Sequence, residues 1–127
     1  KGYEQDGQQI PAWTTIGGAF THEQQHQRQA DYVLPASWKT AEAKLTKSTP
    51  FNFVSTADII GGNSGSPVVN RAGELVGLIF DGNVQSLSGN YVYSEKQARS
   101  VSVHSNAIRE ALKSVYGADG IVNELGK

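Results

Sequence analysis

The chain has 127 residues, of which 38% are hydrophobic and 18% charged, and its formal net charge is -1. That length is enough for one core, and so balanced a surface lacks the basic footprint of a polyanion binder, so no nucleic-acid partner is expected. There is no cysteine, which removes disulfides, thiolate nucleophiles and thiolate metal sites, and no apolar run approaches a membrane span, so no membrane partner is expected either.

In chain order, Lys1 to Ile10 is polar and glycine-containing and reads as a hairpin turn or a frayed end, with ordered structure starting after Pro11. Trp13-Thr14-Thr15-Ile16 and Gly17-Gly18-Ala19-Phe20 carry β-favouring side chains around a glycine pair and predict a strand. Thr21 to Asp31 is rich in Gln, His and Glu without apolar periodicity, the pattern of a surface loop or short solvated helix. Ser37, following Pro35, is placed to cap a helix over Trp38 to Leu45, with Glu42 and Lys44 outward and Thr49-Pro50 as its stop. Phe51-Asn52-Phe53-Val54-Ser55 alternates as a half-buried strand does.

Asp58 to Val69 reads as strand, tight turn, strand, presenting Ser64 at the turn. Val68-Val69 and the apolar run Leu75 to Phe80, joined across Arg71-Ala72-Gly73-Glu74, predict a hairpin packed behind it. Asp81-Gly82-Asn83 marks a turn or strand end, followed by a polar loop through Ser88-Gly89-Asn90. Tyr91-Val92-Tyr93 and Ser100 to Val103 are further expected strands. Ser105 is placed to cap a helix with Ile108, Ala111, Leu112 and Val115 on one face and Gly117 at its C′ position. Several short strands with one C-terminal α-helix point to a mainly β fold of the barrel type rather than a bundle. Lys1 without any methionine reads as a piece cut from a longer protein.

The chemistry concentrates in Gly62-Asn63-Ser64-Gly65-Ser66-Pro67. Gly62 and Gly65 permit a backbone sharp enough for successive N–H groups to converge beside the Ser64 hydroxyl, the arrangement of an oxyanion hole built from the Gly62 and Ser64 amides. A plain turn between strands uses the same residue types, so the string alone leaves both readings open.

Three blocks together carry a resemblance: Phe51 to Asp58, Gly61 to Val68, and Leu78-Ile79-Phe80-Asp81-Gly82-Asn83. They resemble the dipeptidyl-peptidase 7 and 11 family of bacterial serine exopeptidases, from about Phe51 to Leu125, with Leu34-Pro35 and Ser37-Trp38 extending the match more weakly and residues 1–31 unplaced. The resemblance implies the C-terminal part of a chymotrypsin-like double β-barrel, a single domain over residues 1–127, with Ser64 as nucleophile and the triad His and Asp upstream of this chain. It implies a serine dipeptidyl aminopeptidase when full length, inactive as an isolated piece, located in the periplasm or secreted. The position matching Asp81 holds the substrate's free α-amino group in that family, and glycine at the position of Gly82 leaves the P1 pocket open to apolar side chains, which places the chain nearer the dipeptidyl-peptidase 7 branch. Ile79 and Phe80 read as core side chains ahead of site-lining ones, and Asp81 also has a plain turn-forming reading. Chymotrypsin has an acidic residue just before its nucleophile; here Asn63 stands there, so activation by that ion pair is not implied.

The expected partners are a peptide substrate and the remainder of the same catalytic domain, with a homodimer left open; no cofactor is expected. Another trypsin-like endopeptidase and a non-catalytic binding or assembly module are the alternatives. His22-Glu23-Gln24-Gln25-His26 matches the zincin spacing, but its polar flanks and the want of a third ligand make an exposed polar loop the expectation, with no metal site. His104 follows Ser64 in the chain, the wrong order for this family's base, and reads as structural.

Overall fold

The computed structural model describes residues 1–27, 29–90 and 96–126, and the side chains of 88–90 lie outside the description. The expected strand Tyr91-Val92-Tyr93 therefore falls outside the described residues. The chain forms two compact units, one of Lys1–Thr14 with Asn52–Ser105 and one of Thr15–Phe51 with Asn106–Lys127.

The first unit begins with a hairpin of β1 (Tyr3–Gln5) and β2 (Gln8–Ile10), so order starts ahead of Pro11 rather than after it. A five-stranded sheet follows, built from β3 (Trp13–Thr15), β4 (Pro50–Ser55), β5 (Pro67–Val69), β6 (Leu75–Gly82) and β7 (Ser100–His104) in the order β3-β4-β7-β6-β5. The β5–β6 hairpin and the β4 and β7 strands stand where the sequence reading placed them. The turn between β5 and β6 is held by Asn70, whose Oδ1 accepts the N–H groups of Ala72 (2.9 Å) and Glu74 (3.0 Å).

In the middle of the sheet, Phe53 crosses Gly77, and a Cβ there would lie 2.6 Å from Phe53 Cε1 and in clash with the Val103 carbonyl. Phe53 also meets the His104 ring edge-on at 5.7 Å between centroids. Among the described residues of this unit Ile79 is the buried apolar side chain, and the other buried side chains are polar, Arg99, Ser100 and Ser102. Arg99 donates to the carbonyls of Gly2 (3.0 Å) and Ala98 (2.7 Å), tying the start of the chain to the entry of β7.

In the second unit the expected strand over 13–20 ends at Thr15, and α1 (Ile16–Gln25) takes over. Thr15 Oγ1 accepts the Gly18 N–H at 3.1 Å, and Ile16, Phe20 and Glu23 recur at helical spacing on the buried side. The capping hydroxyl and that periodicity outweigh the β preference of Trp13 to Ile16. A short 3-10 turn (Ala30–Tyr32) leads to α2 (Ala36–Ala41), capped at Pro35 without a side-chain bond, and a second 3-10 turn (Glu42–Lys44). Ser37 thus lies inside the helix, because Pro35 supplies the extended residue that starts it. Ile16, Phe20 and Leu45 form the core, with Leu34, Trp38, Phe51 and Val115 packed on it.

After α3 (Ser105–Glu110) the helix widens into a π turn (Ala111–Val115) that puts Leu112 and Val115 in half-buried positions, and Gly117 at φ 62 ends it. A further helix, α4 (Asp119–Leu125), buries Val122 and was not expected from the sequence. The polar loop after Asn83 is in fact a 3-10 helix (Val84–Asn90).

Two outcomes follow. Gly77→Ala forces Phe53 and the β7 backbone apart, and thermal denaturation of the chain is expected to show a loss of about 1–3 kcal/mol, the usual cost of overpacking. Burial lowers the His104 pKa below its ordinary 6.5. The unfolded chain therefore takes up this proton first as pH falls, so stability is full above about pH 6.5 and declines below it. His104→Phe is expected to flatten that decline in denaturant titrations between pH 7 and pH 5; an unchanged slope would contradict it.

Candidate functional site

The turn from Ile60 to Ser66 is closed by its own polar groups. Asn63 Oδ1 accepts the Ile60 N–H at 2.8 Å, and the Asn63 N–H donates to the Ile60 carbonyl at 3.2 Å. Gly62 (φ 101) and Gly65 (φ 87) take the left-handed backbone that this tight path requires. The segment Asp58 to Ile60 entering the turn is not a strand, contrary to the sequence reading, because its hydrogen bonding is spent on Asn63 rather than on a neighbouring strand.

The turn is then fastened to β6. The Gly65 N–H donates to the Ile79 carbonyl at 2.7 Å and the Ile79 N–H to the Ser66 carbonyl at 3.1 Å. Ser64, one residue earlier, consequently lies beside Phe80, and its hydroxyl donates to the Phe80 carbonyl at 3.4 Å. Among the described residues, no acid or base side chain is hydrogen-bonded to Ser64 Oγ, and neither the Gly62 nor the Ser64 N–H has an acceptor.

Ser64, Asp81 and Gly82 line one cleft of about 190 Å³. Gly62 stands in the turn itself and not in the cleft wall. Asp81 is exposed; one carboxylate oxygen accepts the Gly82 N–H at 2.8 Å, and the other has no partner among the described residues. A carboxylate so placed can receive an ammonium group by a charge-assisted hydrogen bond. Ile79 is core and also reaches the cleft floor, whereas Phe80 is exposed on it together with Ile60 and Leu87. Ile59, Ile60, Ser86 and Leu87 were not singled out in the sequence; an Asn-x-x-Ser turn starting at Asn83 is the local signal that marks Ser86.

His104 is excluded as a base for Ser64 by register. It pairs with Gly77, whereas Ser64 meets Phe80, about 10 Å further along the strand at the usual rise per residue. The His22–His26 motif lies not on a loop but on the last turn of α1 and its C-cap. Glu23 is buried, ion-paired with Lys39 at 2.6 Å and accepting the Leu34 N–H at 3.3 Å, so the would-be base is a structural anion. His26 stacks on Tyr32 at 3.9 Å and its Nδ1 is 2.9 Å from the His22 carbonyl. No group of three or more His, Cys, Asp or Glu positioned for a metal occurs among the described residues.

Comparison with known proteins places this geometry in a family. A family profile described as Peptidase S46 matches residues 1–127. Dipeptidyl-peptidase 7 of Phocaeicola vulgatus is 34% identical over 94% of the chain, and the chain spans 18% of that relative's length. The Asp/Glu-specific dipeptidyl-peptidase of Shewanella putrefaciens is 41% identical over 61% of the chain, which spans 11% of it. A crystal structure of Porphyromonas endodontalis DPP11 in complex with the dipeptide Arg-Glu superposes with a TM-score of 0.88 at 28% identity, covering 99% of this chain and 19% of that one. With its full length matched by that profile, this chain belongs to the peptidase S46 family.

Proposed function

We propose that the chain is the nucleophile-bearing part of a serine dipeptidyl aminopeptidase that releases N-terminal dipeptides with an apolar P1 residue. The observation that carries the reading is the sharing of one cleft by Ser64 and Asp81, with the amides of Gly62 and Ser64, which have no acceptor among the described residues, in the same turn. In this reading Ser64 Oγ attacks the carbonyl of the second residue and its proton passes to a histidine supplied by the rest of the catalytic domain. The oxyanion forms opposite the Gly62 and Ser64 amides, the leaving amine takes the proton, and water releases the dipeptide from the acyl-enzyme.

Asp81 acts as the ruler: its open carboxylate oxygen holds the substrate α-ammonium, so only the bond two residues away reaches Ser64. Gly82 supplies the open side of the P1 pocket. An unassisted serine hydroxyl is a weak nucleophile at neutral pH, so the chain alone is inactive in this reading. The relatives named dipeptidyl-peptidase and the dipeptide bound to the superposed DPP11 support a peptide substrate.

The rest of the catalytic domain is the proposed structural partner. At the β5 edge of the sheet Val69, and opposite it Leu75 of β6, are half exposed, and Ile79 is the buried apolar residue of its unit among those described, as befits a sheet that closes a double barrel with further strands. Export to the periplasm or beyond belongs to the same proposal.

The test uses the full-length protein and dipeptidyl amide substrates with free or acetylated N-termini. Wild type is expected to turn over only the free-amino series, and Ser64→Ala to lose about 10⁴-fold or more in kcat, the range for removal of a nucleophile. Asp81→Asn is expected to weaken kcat/KM for free-amino substrates by about 10²-fold, as for loss of a charge-assisted contact. Efficient cleavage of the acetylated series would instead establish an endopeptidase.

A further inference from the structure

A second, smaller chamber of about 20 Å³, room for about one water molecule, adjoins the Ser64 cleft. Its walls include Ala57, Asp58, Ala98 and Ser100. Ile59 and Ser86 line both spaces. One apolar side chain and one hydroxymethyl group therefore stand between the cleft and a further volume that a longer substrate side chain could enter.

Ser86 is held in that partition. Its hydroxyl donates to the Asn83 carbonyl at 2.6 Å and its N–H to the same oxygen at 2.9 Å. Asn83 is in turn clamped to the segment entering β7: its Oδ1 accepts the Arg99 N–H at 2.8 Å, its Nδ2 donates to the Gln97 carbonyl at 2.8 Å, and its own N–H donates to the Arg99 carbonyl at 2.9 Å. Ser86 also fills the space in which a side chain at Gly82 would begin; a Cβ on Gly82 would clash with Ser86 Oγ and lie 3.3 Å from Ser86 Cβ. The two residues are interlocked, the small one requiring the other.

We propose that Ser86 sets the depth of the P1 pocket, and with it the size of apolar residue accepted there. This rests on the reading of Ser64 as nucleophile and of Gly82 as a wall of that pocket. With Ser86 in place the pocket ends at its hydroxymethyl group, which favours Val or Leu over Phe. Without the side chain the two spaces join, and the added depth accepts a ring.

The experiment measures kcat/KM of the full-length protein on free-amino dipeptidyl amides that differ only in P1, as Ala, Val, Leu or Phe. Ser86→Gly is expected to raise the Phe-to-Val ratio by about tenfold or more, the discrimination that a few methylenes give in an apolar pocket. Ser86→Thr, which adds a methyl to the partition, is expected to lower it. Opposite shifts identify a wall; ratios unchanged in both variants, or moving the same way in both as a loosened turn would make them, overturn the proposal. If Ser86→Gly fails to fold, Ser86→Ala paired with Ser86→Thr answers the same question. Ser64→Ala in the same series separates the two levels. Surviving turnover overturns the nucleophile assignment, whereas lost turnover beside unchanged Ser86 ratios overturns the depth assignment alone.

Discussion

Two main-chain hydrogen bonds to Ile79 hold the site together. The Gly65 N–H and the Ser66 carbonyl bracket that residue, so the turn bearing Ser64 is in effect one more rung on the edge of β6. Strand direction then does the rest. Beyond Ile79 the strand continues through Phe80 to Asp81 and Gly82, and the cleft that Ser64 lines is bound to contain them. The hydroxyl and the carboxylate are thus both tied to one strand, which is the fixed spacing that the proposed counting of substrate residues from Asp81 requires.

Polar groups at buried positions perform tasks that apolar packing performs in larger cores. Arg99 is 2% exposed, and its guanidinium donates to the main-chain carbonyls of Gly2 and Ala98. Glu23 at 5% exposure joins α1 to α2 through Lys39 and meets the Leu34 amide. Such groups are costly to desolvate and add little net stability, but removing one partner strands the other, so they fix which segments lie together. Asn83 has the same part at the cleft, joining the residues after β6 to those before β7, and Asn63 does so within the nucleophile turn. The wall and floor of the cleft are thereby set by side-chain amides, whose bonds to the backbone tolerate little movement.

The legible parts of the sequence were those in which local chemistry and tertiary context agree. Alternation over 51–55, the apolar run over 75–80, the Arg71 to Glu74 turn and the glycines at 62 and 65 all met their expected structure. Trp13 to Phe20 was misread because β-favouring residues at Trp13 to Ile16 conceal a helical repeat of Ile16, Phe20 and Glu23 whose third member is a charge. A buried glutamate looks like surface until its lysine is known, and Lys39 is remote in sequence. Similarly, α4 escaped notice because Gly117 does end one helix, and only the burial of Val122 shows that another begins. Ser64 was singled out by the glycines of its turn and Asp81 and Gly82 by resemblance, and the three share a cleft; the role of Asn63 as a clasp and of Ser86 as a partition depend on contacts no local pattern encodes.

Fold and proposed chemistry thus meet at one atom, Ser64 Oγ, in a turn whose Gly62 and Ser64 N–H groups have no acceptor among the described residues. Its reactivity is open to direct trapping. Full-length protein treated with a dipeptidyl phosphonate ester bearing a free amino terminus, then digested and mapped by mass spectrometry, should carry a single phosphonyl adduct on Ser64, formed far faster than with the acetylated reagent. An adduct on another residue, or equal labelling by both reagents, would contradict the account.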